Sequence, residues 1–262
     1  MPTKILVLKK LQLQNAVLIV GLPGIGLVGK ISVDYLLKQF KPDKVGEILS
    51  DSFPPSVHTK ESKIRLIKDE IFHFNYKKKD YLFLAGPVQP TLDIHVGSNH
   101  EHYEFAETLV NFFKGIGVIE MVTLAGLNVG NTRLSNNKPR VIVAGTDDSL
   151  VQDWVKAGAT EDKKEGLISG AAGLMIGIGA LHRIKGACLM GETNAQLIYG
   201  DHGSAKSIIE LLSKKYDFKV NMASIEKEAK NIEKAFKELT GQLEAVEHEV
   251  HKQQGQGLTY VR

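Results

Sequence analysis

Residues 15–30 read NAVLIVGLPGIGLVGK, and this stretch decides the fold. The run 15–21 is continuously apolar and ends in Gly, the pattern of a strand buried on both faces. A Gly-rich turn follows, and an amphipathic stretch then runs to about Phe40. Strand, tight turn and helix make one β–turn–α unit. Outward from it the same alternation continues. Residues 44–50, 119–125, 141–145 and 187–191 are strand-like, and residues 97–114, 150–157, 167–182 and 204–216 are helix-like. Between them, residues 63–67, 71–76 and 81–85 predict an antiparallel meander, with a charged turn at 77–80 and a break at Pro54-Pro55. Alternating strands and helices predict an α/β class: a three-layer α/β/α domain on a mostly parallel sheet.

The segment after Tyr216 differs in kind. Met222, Ile225, Ala229, Ile232, Phe236, Leu239, Leu243, Val246 and Val250 recur at alternating spacings of three and four. This heptad seam spans about four heptads and suits helix–helix association. The other reading is one amphipathic helix lying on its own domain. Gln-Gln-Gly-Gln-Gly then forms a flexible spacer before Leu258, Thr259, Tyr260, Val261 and Arg262. The expected organisation is a globular domain over 1–218, a helical arm over 219–253 and a flexible tail over 254–262.

The chain has 262 residues and a formal net charge of +3, too weak a basic balance for a nucleic-acid partner. Its one cysteine, Cys188, excludes an intramolecular disulfide and a Cys-based zinc site. Reducing surroundings, hence the cytoplasm, fit best. The opening MPTKILVLKK has no signal-peptide apolar core, and residues 167–181 are too short and Gly-rich to span a bilayer. No membrane role is expected.

Several motifs carry possible chemistry. Gly24, Gly26 and Gly29 spell the dinucleotide fingerprint, with Glu47 or Asp51 placed for a ribose. Residues 24–30 also nearly spell a phosphate-binding loop, but Ile31 stands where a magnesium-binding hydroxyl is required. The glycines equally allow tight packing of helix on strand, and Pro23, which supplies no amide N–H, favours that reading. Asp93, His95, His100, Glu101 and His102 contain metal-ligand residue types at no established spacing. Cys188 lies in an apolar strand and reads as inert. Asp147 and Asp148 fit helix capping, and Gly203-Ser204 a helix N-cap. Asp201-His202 is a dyad with no third member nearby in sequence. No catalytic set, cofactor or metal site is complete.

The strand–GLPGIGLVG–helix opening, GPVQP at 86–90, LAGL at 124–127 and the Gly-rich run 170–179 together resemble the proteasome assembly chaperones and their archaeal homologues. The resemblance spans roughly residues 5 to 215. It implies a sheet like that of purine nucleoside phosphorylases without known catalysis. It also implies homo-oligomers and binding to α subunits of the proteasome core particle. Some members dock a C-terminal hydrophobic–Tyr–any-residue motif, as proteasome activators do. Here Tyr260 is third from the end and Thr259 stands where a hydrophobic residue is expected. The resemblance thus implies a chaperone or activator, not an enzyme. Its partner-binding residues would be Leu258, Thr259, Tyr260, Val261 and Arg262, and its oligomer seam Ile225, Ile232, Phe236, Leu239, Leu243 and Val246. The alternative is a nucleotide- or nucleoside-binding enzyme using the turn at 21–30.

Overall fold

The computed structural model describes residues 2–90, 99–135, 138–197 and 199–227. The chain divides into two compact units, Met1–Asn221 and Met222–Arg262.

The first unit begins with β1 (Lys4–Val7) and β2 (Ala16–Gly21), a short 3-10 turn at Ile25–Leu27, and α1 (Val28–Phe40). Next come β3 (Asp43–Leu49), the hairpin β4 (Val57–Lys60) and β5 (Lys63–Leu66), then β6 (Asp69–Tyr76) and β7 (Lys79–Ala85). They are followed by α2 (Asn99–Gly115), β8 (Val118–Asn128), the single turn α3 (Thr132–Ser135), β9 (Val141–Gly145) and α4 (Asp148–Ala157). The unit closes with β10 (Thr160–Glu161), α5 (Ala171–Leu181), β11 (Lys185–Thr193) and α6 (His202–Tyr216).

Nine strands form one sheet in the order β1-β3-β6-β7-β2-β8-β11-β9-β10. The central strands β7, β2, β8 and β11 are parallel. Here the structure corrects an expectation. The sheet is mixed, not mostly parallel, because β1, β3 and β6 join one side antiparallel and β9 joins the other side antiparallel to β11. Of the expected meander only the second hairpin joins this sheet: β6 and β7 are linked by Lys77 and Lys78, both at positive φ, the tight reversal that matches strand twist, whereas residues 63–66 pair with β4 and not with β6.

Every residue of β2 is buried, because helices cover both faces. Leu18, Val20, Leu82, Leu84 and Cys188 meet Phe105, Leu109, Phe113 and Met175 of α2 and α5 in one core. By strand alternation Val17 and Ile19 face the other layer, where α1 packs on α6 and α6 on α4. The three layers stand as read from sequence. Asp147 accepts from the Leu150 amide at 2.9 Å and caps α4, as its position foretold.

Helix α1 starts at the Gly-rich turn and runs to the opposite edge of the sheet. There Gln39 accepts from the Asn221 amide at 3.3 Å, and Tyr35 Oη donates to the Asn221 carbonyl. Phe218 packs edge-on against Phe40 and Tyr81. The first unit therefore ends on the edge away from the Gly-rich turn. In the second unit residues 223–227 are helical. Ile232, Phe236, Leu239, Leu243, Val246 and the tail Leu258, Thr259, Tyr260, Val261 and Arg262 lie outside the described residues.

Candidate partner-binding face at the strand ends

The carboxyl ends of the parallel strands gather the Gly-rich turn, the GPVQP loop, the end of β8 and the loop leaving β11. In open α/β sheets this edge is where ligands bind. The chain's own groups occupy much of it.

The turn is built on backbone contact. A side chain on Gly29 would collide with the Leu124 carbonyl of β8, and one on Gly26, at φ +61, with the Thr193 hydroxyl of β11. These glycines let α1 and the turn lie directly on the sheet. The packing reading of the fingerprint explains both positions.

Behind the turn sits a buried ion pair that sequence spacing did not reveal. Arg133 Nε and Nη2 each donate to Asp201 at 2.7 Å. The Thr193 hydroxyl and the Ser204 amide donate to the same carboxylate, both at 2.9 Å. The Asp201 amide donates to the Gly26 carbonyl at 2.8 Å. One aspartate thus fastens α3, β11, α6 and the turn together. The cap of α6 is Asp201, not Gly203-Ser204: a carboxylate three residues ahead of an amide reaches it directly. Its oxygens are taken by these donors, so Asp201 does not serve His202 as a catalytic dyad would require. The signal available in sequence was Asp201 placed three residues before Ser204.

A second pair closes the β9 side. Arg140 donates from its amide at 2.9 Å and from Nε at 2.8 Å to Glu192. Burial alone would raise Glu192, but the Arg140 hydrogen bonds outweigh it and hold the carboxyl below its usual range. In the GPVQP loop, Gln89 Oε1 accepts from Ala171 N at 3.4 Å, at the start of α5. Gly86 lies against the Asp69 carboxylate, with no room for a side chain between them.

Asp69 is fully buried, and neither of its oxygens has a hydrogen-bond partner of normal geometry. Burial pushes its carboxyl well above the usual range, and the Val88 amide and the charge of Lys30 offset this only in part. Unfolded, Asp69 ionises near pH 4, about the ordinary value. Folded, it keeps its proton to higher pH. The folded state therefore binds more protons across that window, and stability falls as pH rises through it. Asp69→Asn is expected to remove this dependence. The variant should be the more stable protein near pH 7 and lose that advantage below about pH 4. Denaturant melts across pH measure it; an advantage independent of pH would contradict the assignment.

The remaining candidates fall apart as chemistry. Cys188 is 1% exposed and its thiol is pushed up to about 11 by burial, which makes it a poor nucleophile. His100, Glu101 and His102 lie in the first turn of α2, while Asp93 and His95 lie outside the described residues. Among the described residues no group of three or more His, Cys, Asp or Glu side chains is placed to hold a metal, and no helix is long and apolar enough to cross a membrane.

What this edge does present is apolar surface over a fixed polar frame. Ile25 and Tyr199 are exposed beside the turn, and Leu167 stands open ahead of α5.

Comparison with known proteins bears on which proteins share this frame. PbaB of Pyrococcus furiosus, described as an archaeal proteasome activator, superposes with a TM-score of 0.82 at 27% identity, covering 91% of this chain and 99% of its own. PbaA of the same organism, described as an archaeal homolog of proteasome-assembly chaperone, superposes at 0.72 over 98% of this chain and 100% of its own. At 22% identity that likeness shows the fold alone. An uncharacterized protein of Methanocaldococcus jannaschii is 33% identical over 84% of this chain and 81% of its own length. The PAC2 family model matches residues 18–240, from the first buried strand well past the last helix of the sheet domain, and the chain belongs to the PAC2 family.

Proposed function

We propose that this chain is a homo-oligomeric protein of the cytoplasm that binds the proteasome core particle and is not an enzyme. Its C-terminal tails enter pockets between α subunits, aiding assembly of the α ring or opening its gate. The observation that carries this reading is the likeness to the Pyrococcus activator over nearly the full length of both chains, at 27% identity. The frame described above adds support, since its glycines and buried ion pair are used in holding the fold together. The heptad spacing of Ile225, Ile232, Phe236, Leu239, Leu243 and Val246 is taken as a helix–helix seam of the oligomer. The tail residues Leu258, Thr259, Tyr260, Val261 and Arg262 are the partner-binding segment. Several tails acting together supply an affinity that one five-residue segment lacks.

Capture of purified core particles by the immobilised full chain tests the proposal. Retention of particles at stoichiometric levels is expected. No retention under low and moderate salt would contradict it.

A further inference from the structure

The connection from β1 to β2 is tied down at both ends. The Leu8 and Lys9 amides both donate to the Val45 carbonyl, at 2.9 and 3.2 Å, and the Leu13 amide donates to the Ile116 carbonyl at 2.9 Å. Residues 8–13 therefore form a fixed strap. At its first tie the sheet is irregular. The register of β3 on β6 shifts between Lys44 and Gly46, which leaves Val45 without a partner on β6. A bulge of this kind re-aims a side chain, and bulges recur beside binding sites.

Val45 lines a cavity of about 220 Å³. It shares the buried depth of that cavity with Ile71; the two are 3% and 1% exposed. Leu11 of the strap and Phe112 and Ile116 at the end of α2 are half-buried around them. At the exposed rim stand Val7, Lys9 and Lys10. The two lysines are the polar residues of the lining. Asp43 engages Lys9 at 3.2 Å, whereas Lys10 makes no ion pair among the described residues. An apolar cavity of about 150 Å³ is already large enough to stay dry and take up benzene. This one is larger, and the ties of the strap mean that it is formed before any ligand arrives.

We propose that this cavity binds a small amphipathic carboxylate, with an apolar body against Val45, Ile71 and Phe112 and its carboxylate paired with Lys10. The step from an apolar interior to a cationic rim selects the class. The interior takes hydrocarbon, and the open lysine takes the anionic head. A cationic head would meet Lys10 as a like charge. It would also find the backbone acceptors already engaged: the Val45, Phe112 and Ile116 carbonyls each accept from an amide, and Asp43 holds Lys9. The site is independent of the proteasome reading.

Calorimetry and melting curves on the full chain test it, with octanoate as the probe and octylamine as its cationic counterpart. Octanoate is expected to bind saturably, in the millimolar range or tighter, to raise the melting temperature and to outbind octylamine. Lys10→Glu should weaken octanoate several-fold and reverse that preference, because Lys10 is exposed and the apolar lining stays intact. Leu11→Trp should fill the cavity from the strap and abolish binding of both probes. If that variant does not fold, Val7→Trp at the exposed rim takes its place with the same expectation. Absence of saturable octanoate binding to the natural chain overturns the proposal. Equal binding of octylamine overturns it too, as does octanoate binding that neither Lys10→Glu nor the filled cavity weakens.

Discussion

Replacing Asp201 with Ala is expected to cost about 3–5 kcal/mol of stability, the loss typical of removing one partner of a buried ion pair. The reason is what stays behind. Arg133 keeps a guanidinium that is only 6% exposed and loses both 2.7 Å hydrogen bonds. The Thr193 hydroxyl loses its acceptor, and α6 loses its cap, which by itself is worth about 1 kcal/mol. Asp201→Asn keeps acceptor oxygen for the cap but not the charge, and should fall between the two. Denaturant unfolding checks this through the midpoint at unchanged slope. A loss below about 1 kcal/mol for the alanine variant would mean that water satisfies Arg133 and that the pair is not buried in solution.

Much of the fold could be read from single segments. The run before the Gly-rich turn is buried on both faces, and burial on both faces erases alternation, so AVLIVG announced a central strand. The aspartate before α4 announced its cap because capping is local. Strand direction was another matter. Whether β9 runs with or against β11 depends on pairings some forty residues apart, and no local pattern carries that. β1 was missed because it is a short edge strand facing solvent, and β4 because VHTK lacks a sustained apolar alternation. The helix expected from residue 167 begins at Ala171, since Gly170 adopts φ +79. At the site, Gly26 and Gly29 were legible as packing elements, although Gly24 has open space around it, while Arg133 and Asp201 meet across 68 residues of chain. Asp69 gave no signal, because its isolation is a product of tertiary burial.

The tail carries the other large effect. Leu258, Tyr260 and Val261 are apolar in a polar surrounding and follow a Gln/Gly spacer. Tyr buries a rigid ring at low entropic cost and keeps a hydroxyl for a hydrogen bond. Tyr260→Ala alone should remove much of the affinity, since single aromatic anchors often dominate a small contact. One residue added after Arg262 separates the role of the terminal carboxylate, which a lysine in a pocket can pair with.

The direct test compares the full chain with a chain lacking Leu258, Thr259, Tyr260, Val261 and Arg262 for binding to immobilised core particles, with melting curves and masses recorded for both. The account predicts that the shortened chain keeps its melting temperature and mass and loses at least about tenfold in affinity, as expected when several tails are removed at once. Equal binding by the two chains would contradict it and would place recognition on the globular domain.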